Sequence, residues 1–191
     1  MVIAVVGAGG KTTRIHNLAE QYTNLGKKVL VTTTTHMYRE DDCILSGNVE
    51  EIKDRLTSCG YCMAGMPAQH GKMQSLSKDV YEQVCIYADV VLVEADGSKG
   101  MPVKYPADHE PVIPDNVTEI HIVMGLRAIG RPIKDVCHRT EQVLKCLKVT
   151  EETLLTIEHL QKLVEEGYIK PLEKNYPKVS LKICFNEYKH Y

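Results

Sequence analysis

A glycine turn ending in Gly-Lys-Thr joins an apolar run, residues 2 to 6, to a helical pattern that starts at Thr12. Glycines allow the backbone N–H groups of Gly7, Ala8, Gly9 and Gly10 to converge on an anion. Lys11 would reach the outer phosphates of a nucleotide, and the Thr12 hydroxyl, followed by Thr13, could hold Mg2+. The usual form of this loop has four residues between its first glycine and the Gly-Lys pair, whereas here only Ala8 and Gly9 intervene. Amide ligases of cell-wall synthesis carry similarly shortened loops.

A second chemical group lies at the end of the run Val90-Val91-Leu92-Val93, which terminates in Glu94-Ala95-Asp96-Gly97. Ligands of open α/β sheets sit beyond the carboxyl ends of the strands, so these acids meet the glycine loop if the two strands are neighbours. Glu94 and Asp96, two apart, share one face of a strand. One could hold Mg2+ directly or through water while the other orients a nucleophile. A solvated Asp-Gly turn is the plain alternative for these residues.

Residues 97 to 115 follow with no regular period, and Pro102, Pro106, Pro111 and Pro114 forbid a regular helix or a central strand there. The stretch is rich in ionisable groups: Lys99, Lys104, Asp108, His109 and Glu110. His109, between two acids, could bind metal or move protons, and a solvent-facing loop is the other reading.

These groups need a scaffold, and the periodicity supplies one. Ile15, Leu18, Ala19, Tyr22 and Leu25 repeat at helical spacing and Gly26 stops them, giving a first helix over 12 to 25. The β-branched run 28 to 35 reads as a second buried strand, and strand, helix, strand in that order implies a right-handed crossover and parallel pairing. Helices are expected over 48 to 58, 77 to 87 and 139 to 147, and over 150 to 167 as one helix or two short ones, with Gly167 ending the run. Further strands are expected over 120 to 126 and 179 to 185, and a short apolar segment over 61 to 64. The fold class is α/β: a three-layer P-loop nucleotide-binding fold with a mostly parallel sheet flanked by helices, in one domain spanning 1 to 191.

Composition narrows the partners. A formal charge of −2 with acids and bases interspersed offers no basic stripe for nucleic acid. No apolar run approaches membrane-spanning length and no leader pattern opens the chain, so no membrane partner and a cytoplasmic location are expected. Seven scattered cysteines fit reduced thiols. Cys59-Gly60-Tyr61-Cys62 has redox spacing but follows a helix where a redox pair would precede one, so it reads as a bystander. Phe185-Asn186-Glu187-Tyr188-Lys189 stands where many GTPases read guanine, yet only the asparagine fits that pattern. The chain also stops where a further strand and helix would be expected.

Four segments together resemble one family: Gly-Ala-Gly-Gly-Lys-Thr-Thr at 7 to 13, Thr-Thr-Thr-Thr-His-Met at 32 to 37, Glu-Ala-Asp-Gly-Ser-Lys-Gly-Met-Pro-Val-Lys at 94 to 104, and Pro-Ala-Asp-His-Glu-Pro-Val-Ile-Pro at 106 to 114. This resembles the YqeC family of accessory proteins for selenium-dependent molybdenum hydroxylases, over most of the chain through His138-Arg139. The resemblance implies a P-loop fold, ATP or GTP with Mg2+ as cofactors, and a molybdenum cofactor species or a molybdenum hydroxylase as partner. It implies nucleotide or metal roles for residues 7 to 13, for Thr33, Thr34, Thr35 and His36, and for residues 94 to 99. Lys104, Asp108, His109 and Glu110 become a substrate or switch loop.

Two mechanisms compete. In the first, a Mg-dependent NTPase or a phosphoryl or nucleotidyl transferase uses Lys11 and the loop amides against phosphate charge, Thr12 and Asp96 on Mg2+, and Glu94 to orient water or an acceptor. Thr33, Thr34, Thr35 and His36, at the carboxyl end of the second strand, meet the terminal phosphate or a second substrate. In the other, a nucleotide-gated carrier or chaperone for a cofactor turns over slowly or not at all. A ligase would need a separate amine-binding domain, for which 191 residues leave no room.

Overall fold

Three of the expected helices start where a side chain can accept the first free backbone N–H groups. In the computed structural model, which describes residues 1–186, Asn48 accepts from the amides of Glu50 and Glu51 to open α2, Ser77 caps α3, and Thr156 and His159 form a capping box at α6. The elements in chain order are β1 (Val2–Gly7), α1 (Lys11–Asn24), β2 (Val29–Thr33), β3 (His36–Tyr38), α2 (Val49–Cys59), β4 (Tyr61–Met63), β5 (Met66–Pro67), β6 (Lys72–Gln74), α3 (Lys78–Cys85) and β7 (Val90–Glu94). Then come β8 (Val103–Lys104), β9 (Glu119–Gly125), α4 (Ile133–Val136), β10 (Cys137–His138), α5 (Thr140–Leu147), α6 (Ile157–Val164), α7 (Lys170–Asn175) and β11 (Ser180–Asn186).

The main sheet has six strands in the order β11-β9-β1-β7-β2-β4, and helices flank it, as an α/β three-layer fold requires. Strand β7 pairs in parallel with β1 and with β2, and β2 pairs in parallel with β4. Strand β9 runs the same way as β1, since Thr118 N donates to Val2 O at one end and Ala8 N to Val123 O at the other. The parallel pairing expected of the first two strands does not form between them. β7 lies between the two and bonds both, because the crossover through α1 is long enough to skip one position. β1, β2 and β7 are buried throughout, which is why they read as continuous apolar runs without alternation.

By contact density the chain divides into two compact units. The first comprises residues 1 to 5, 12 to 96 and 112 to 119. Its core gathers Leu30, Val91 and Val93 of the sheet with Ile52 and Leu56 of α2 and Val84 of α3. Strands β3, β6 and β5 form a small antiparallel sheet in this unit. The second unit comprises residues 6 to 11, 97 to 111 and 120 to 191, and within it β8 and β10 form a two-stranded parallel ladder. Among the described residues no helix is long and apolar enough to cross a membrane.

Two expectations about the carboxyl-terminal helix fail for identifiable reasons. Residues 150 to 156 are not helical: Gly130 N donates to Leu155 O, Leu155 N donates to Arg131 O, and Pro132 bridges Leu154. The Leu155 amide and the carbonyls of Glu151, Thr153 and Leu155 are thereby committed to a neighbouring segment, and α6 begins only after Thr156. Gly167 does not end the helix either. The chain passes through a π turn at Glu165–Ile169 directly into α7. A Cβ at Gly167 would stand 3.0 Å from Pro106 Cδ and 3.1 Å from the Tyr105 ring, so this glycine serves close approach rather than termination. The second strand is also shorter than expected, ending at Thr33.

The Cys59/Cys62 pair lies as the sequence suggests: Cys59 is the last residue of α2, Gly60 caps it in the left-handed region, and Cys62 is on β4. Both are free thiols, and burial pushes the Cys62 thiol up to about 12, which keeps it protonated and unreactive.

Candidate functional site

The glycine turn occupies the carboxyl end of β1, and its shape is enforced from within the second unit. Gly7 has φ of 93°, and a Cβ there would land on the Val123 carbonyl oxygen, to which the adjacent Ala8 N–H donates at 2.8 Å. Gly10 has φ of 135°, and a Cβ there would strike the amide of Asn186, whose Nδ2 donates to Gly9 O at 3.1 Å. Both positive dihedrals and close approach therefore demand glycine at these positions. Gly7→Ala is expected to cost about 2–5 kcal/mol, combining the left-handed penalty with overpacking against fixed backbone. Chemical denaturation measures it, and a cost under about 1 kcal/mol would mean the turn relaxes freely.

Lys11 is the first residue of α1 and is buried. Its Nζ donates to Gly7 O at 2.8 Å and lies 3.5 Å from Ser98 Oγ, so the ammonium is folded over the turn that precedes it. The first turn of α1 holds no acidic side chain, so no carboxylate of its own offsets the positive end of the helix dipole. A cation, a helix start and a glycine turn combined in this way can attract and orient an oxyanion such as phosphate.

The segment after β7 contributes a buried ionic cluster to the same unit. Lys104, fully buried, donates from Nζ to Gly97 O at 2.6 Å and pairs with Glu110 Oε2 at 2.7 Å. The same carboxylate oxygen accepts from Ala107 N at 3.2 Å and lies 3.1 Å from Arg139 Nη1. Burial alone would push the Glu110 carboxyl up, but hydrogen bonds from Lys104 and Ala107, with the charges of Lys104 and Arg139, outweigh it and hold it below the usual range. Arg139 itself takes left-handed backbone, φ 62°, just before α5. The 3.1 Å approach is an ion pair with poor hydrogen-bond geometry, because Arg139 Nη1 has no acceptor by angle. The parallel β8–β10 register sets Lys104 opposite His138, and this is what delivers Arg139.

Of the four residues assigned to a substrate or switch loop, the structure thus joins Lys104 and Glu110 to each other. Asp108 and His109 are exposed, as is Lys99. Arg139 was not singled out from the sequence as a site residue. No linear spacing marks it, since only the strand register brings it to Glu110.

In the first unit, Glu94 ends β7 with Val5 of β1 opposite it on one side and Thr33 of β2 on the other. Glu94 and Asp96 are both buried, whereas Thr12 is exposed. The threonine run after β2 is largely occupied in fastening strand ends. Thr33 Oγ1 donates to Glu94 O at 2.7 Å and accepts from Thr35 N at 3.0 Å, and Thr34 N also donates to Glu94 O. Thr34 Oγ1 donates to Val112 O at 2.6 Å, and Val112 N in turn donates to Ala95 O. His36 opens β3 and is exposed.

Among the described residues no group of three or more His, Cys, Asp or Glu side chains is arranged to hold a metal, His109 included. Magnesium carried by a triphosphate asks less, because one or two protein oxygens complete a shell otherwise filled by phosphate and water. Thr12, Glu94 and Asp96 are hard oxygen donors of that kind. Asn186 is described, whereas the remainder of the guanine-reading pattern, residues 187 to 189, lies outside the described residues.

No solved structure matches the chain. It is 35% identical over 173 residues to the protein named "Uncharacterized protein YqeC" of Escherichia coli (strain K12), a match covering 85% of this chain and 67% of that protein. The sequence pattern of the family described as YqeC protein matches residues 3–141, the span that holds the glycine turn, the β7 acids and the Lys104–Glu110–Arg139 cluster, and the chain therefore belongs to the YqeC family.

Proposed function

We propose that this protein binds a nucleoside triphosphate, ATP or GTP, with Mg2+, and hydrolyses it or transfers a phosphoryl or nucleotidyl group during maturation of selenium-dependent molybdenum hydroxylases. The observation that carries the reading is the glycine turn after β1 with the Lys11 ammonium folded over it, 2.8 Å from Gly7 O. An ammonium bonded to a neutral carbonyl is poised to exchange that bond for stronger ones to phosphate oxygens. Lys11 and the turn amides would bind and orient the phosphates. Thr12 and Asp96 would hold Mg2+, which supplies charge neutralisation on the transferring group. Glu94 would orient water or an acceptor hydroxyl and take up its proton.

A second reading, a nucleotide-gated carrier for a molybdenum cofactor species, draws support from the Lys104–Glu110–Arg139 cluster, which pins residues 97 to 110 through one carboxylate. A latch of that kind gives a segment two discrete states. Turnover of MgATP and MgGTP, with and without a molybdenum hydroxylase, separates the two: accelerated phosphate release favours the enzyme, and binding without it favours the carrier. Failure of both nucleotides to bind overturns both. Asp96→Asn is expected to reduce the affinity gained on adding Mg2+ by about tenfold, or about 1.4 kcal/mol, read as the ratio of nucleotide Kd values with Mg2+ and with a chelator. An unchanged ratio removes Asp96 from the metal site.

A further inference from the structure

A cavity of about 370 Å³ opens within the first unit, beyond the carboxyl end of β2. Its size falls in the lower part of the range for small-molecule sites. One wall is aliphatic, made by Leu76, Val112, Ile113 and Pro114, and Tyr81 of α3 lines it as well. Val112 is 41% exposed, an unusual expense of apolar surface in a residue whose backbone is fixed at both ends by Ala95 and Thr34.

Polar side chains share the lining with that wall, Thr33, Thr34, Ser75, Tyr81 and Asn116 among them. Tyr81 donates from its hydroxyl to Asn116 Oδ1 at 2.9 Å, and burial pushes its phenol well above the ordinary value, so it stays neutral. Thr34 spends its hydroxyl proton on Val112 O, which leaves its oxygen lone pairs to accept from a ligand. Three charges stand at the rim: Lys78, with Glu82 at 3.8 Å and Asp115 at 3.9 Å. One cation against two carboxylates gives the rim a net negative charge. Phosphates and carboxylates are therefore disfavoured, in contrast to the cationic glycine turn.

We propose that this cavity is a second binding site, for an uncharged heteroaromatic ring compound of roughly nucleobase to nucleoside size. Flat apolar faces suit the aliphatic wall and the tyrosine, and ring-edge donors suit the threonine oxygen. Thr33, also in the lining, donates to Glu94 O, so a ligand here sits beside the strand end that carries the candidate proton acceptor. The binding of this ligand does not rest on the nucleotide reading above.

The test is an amide NMR titration of the whole chain with indole, benzimidazole and purine, and with their carboxylate derivatives. The neutral rings are expected to shift the Thr34, Tyr81, Ile113 and Asn116 amides, with the carboxylates at least tenfold weaker. Ile113→Trp fills the cavity and is expected to weaken the neutral rings tenfold or more; Val112→Trp, at an exposed position, does the same should the first variant fail to fold. No shifts from any neutral ring, shifts confined to other residues, equal or tighter carboxylate binding, or no effect of either tryptophan would overturn the site. The same titration on Lys11→Ala keeps the two readings apart, because ring binding persists there whether or not nucleotide binds the wild type. Ring binding by a wild type that binds neither MgATP nor MgGTP leaves the cavity standing and overturns the nucleotide reading alone.

Discussion

Lys11→Ala is expected to weaken MgATP and MgGTP by about 100-fold while leaving the fold in place. The ammonium would make charge-assisted bonds to phosphate oxygens, each worth about 1.5–3 kcal/mol, and 100-fold corresponds to about 2.7 kcal/mol. Among its protein contacts are the Gly7 carbonyl and the Ser98 hydroxyl, both neutral acceptors. Losing neutral-acceptor bonds of that kind costs on the order of 1 kcal/mol of stability each. A binding isotherm and a thermal melt on the same variant separate the roles. Retained nucleotide affinity would remove Lys11 from the site, and a collapsed melt would make it structural.

Glu110→Ala should be among the most destabilising single changes in the second unit, by about 3–5 kcal/mol. The reason is asymmetry. Removing the carboxylate takes away the 2.7 Å ion pair of Lys104, a cation with no exposed surface, and the facing charge of Arg139 loses its partner with it. Glu110→Gln, which keeps the shape and one acceptor oxygen, should lose less. Lys104→Met on its own should also lose less than Glu110→Ala, since Arg139 still faces the carboxylate. The pair changed together should lose less than the two single costs added, and equilibrium unfolding of the four proteins closes that cycle.

The pH dependence follows from the same cluster. The Glu110 carboxyl is held lower in the folded state than in the unfolded chain. Its stabilisation is therefore complete above the ordinary glutamate value of about 4.3 and is lost as pH falls through the lower, folded-state value. Wild type should lose stability progressively in acid over that window, and Glu110→Gln should lose less of it there. Parallel curves for the two proteins would show that the acid limb belongs to other carboxylates.

The linear order of residues carried a good part of this protein. Glycines followed by lysine at the end of an apolar run could only be a tight turn into a helix, because positive φ at Gly7 and Gly10 and the amphipathic pattern from Ile15 onward are local requirements. The caps Asn48 and Ser77 and the buried runs of β1, β2 and β7 are local in the same sense.

Pairing between distant segments was not legible. Which strand separates β1 from β2, why Leu155 leaves the helix to bond Arg131, and why Gly167 sits inside a continuous helix against Tyr105 all depend on partners far along the chain. So does the joining of Glu110 to Arg139, and so does the cavity walled by residues from β2, α3 and the segment after β8. Short-range backbone preferences and hydrophobic periodicity are written within a few residues of where they act. Register, close approach and the balancing of a buried charge are fixed only when the whole core closes, since each is the lowest-energy choice among partners that sequence spacing leaves equally near.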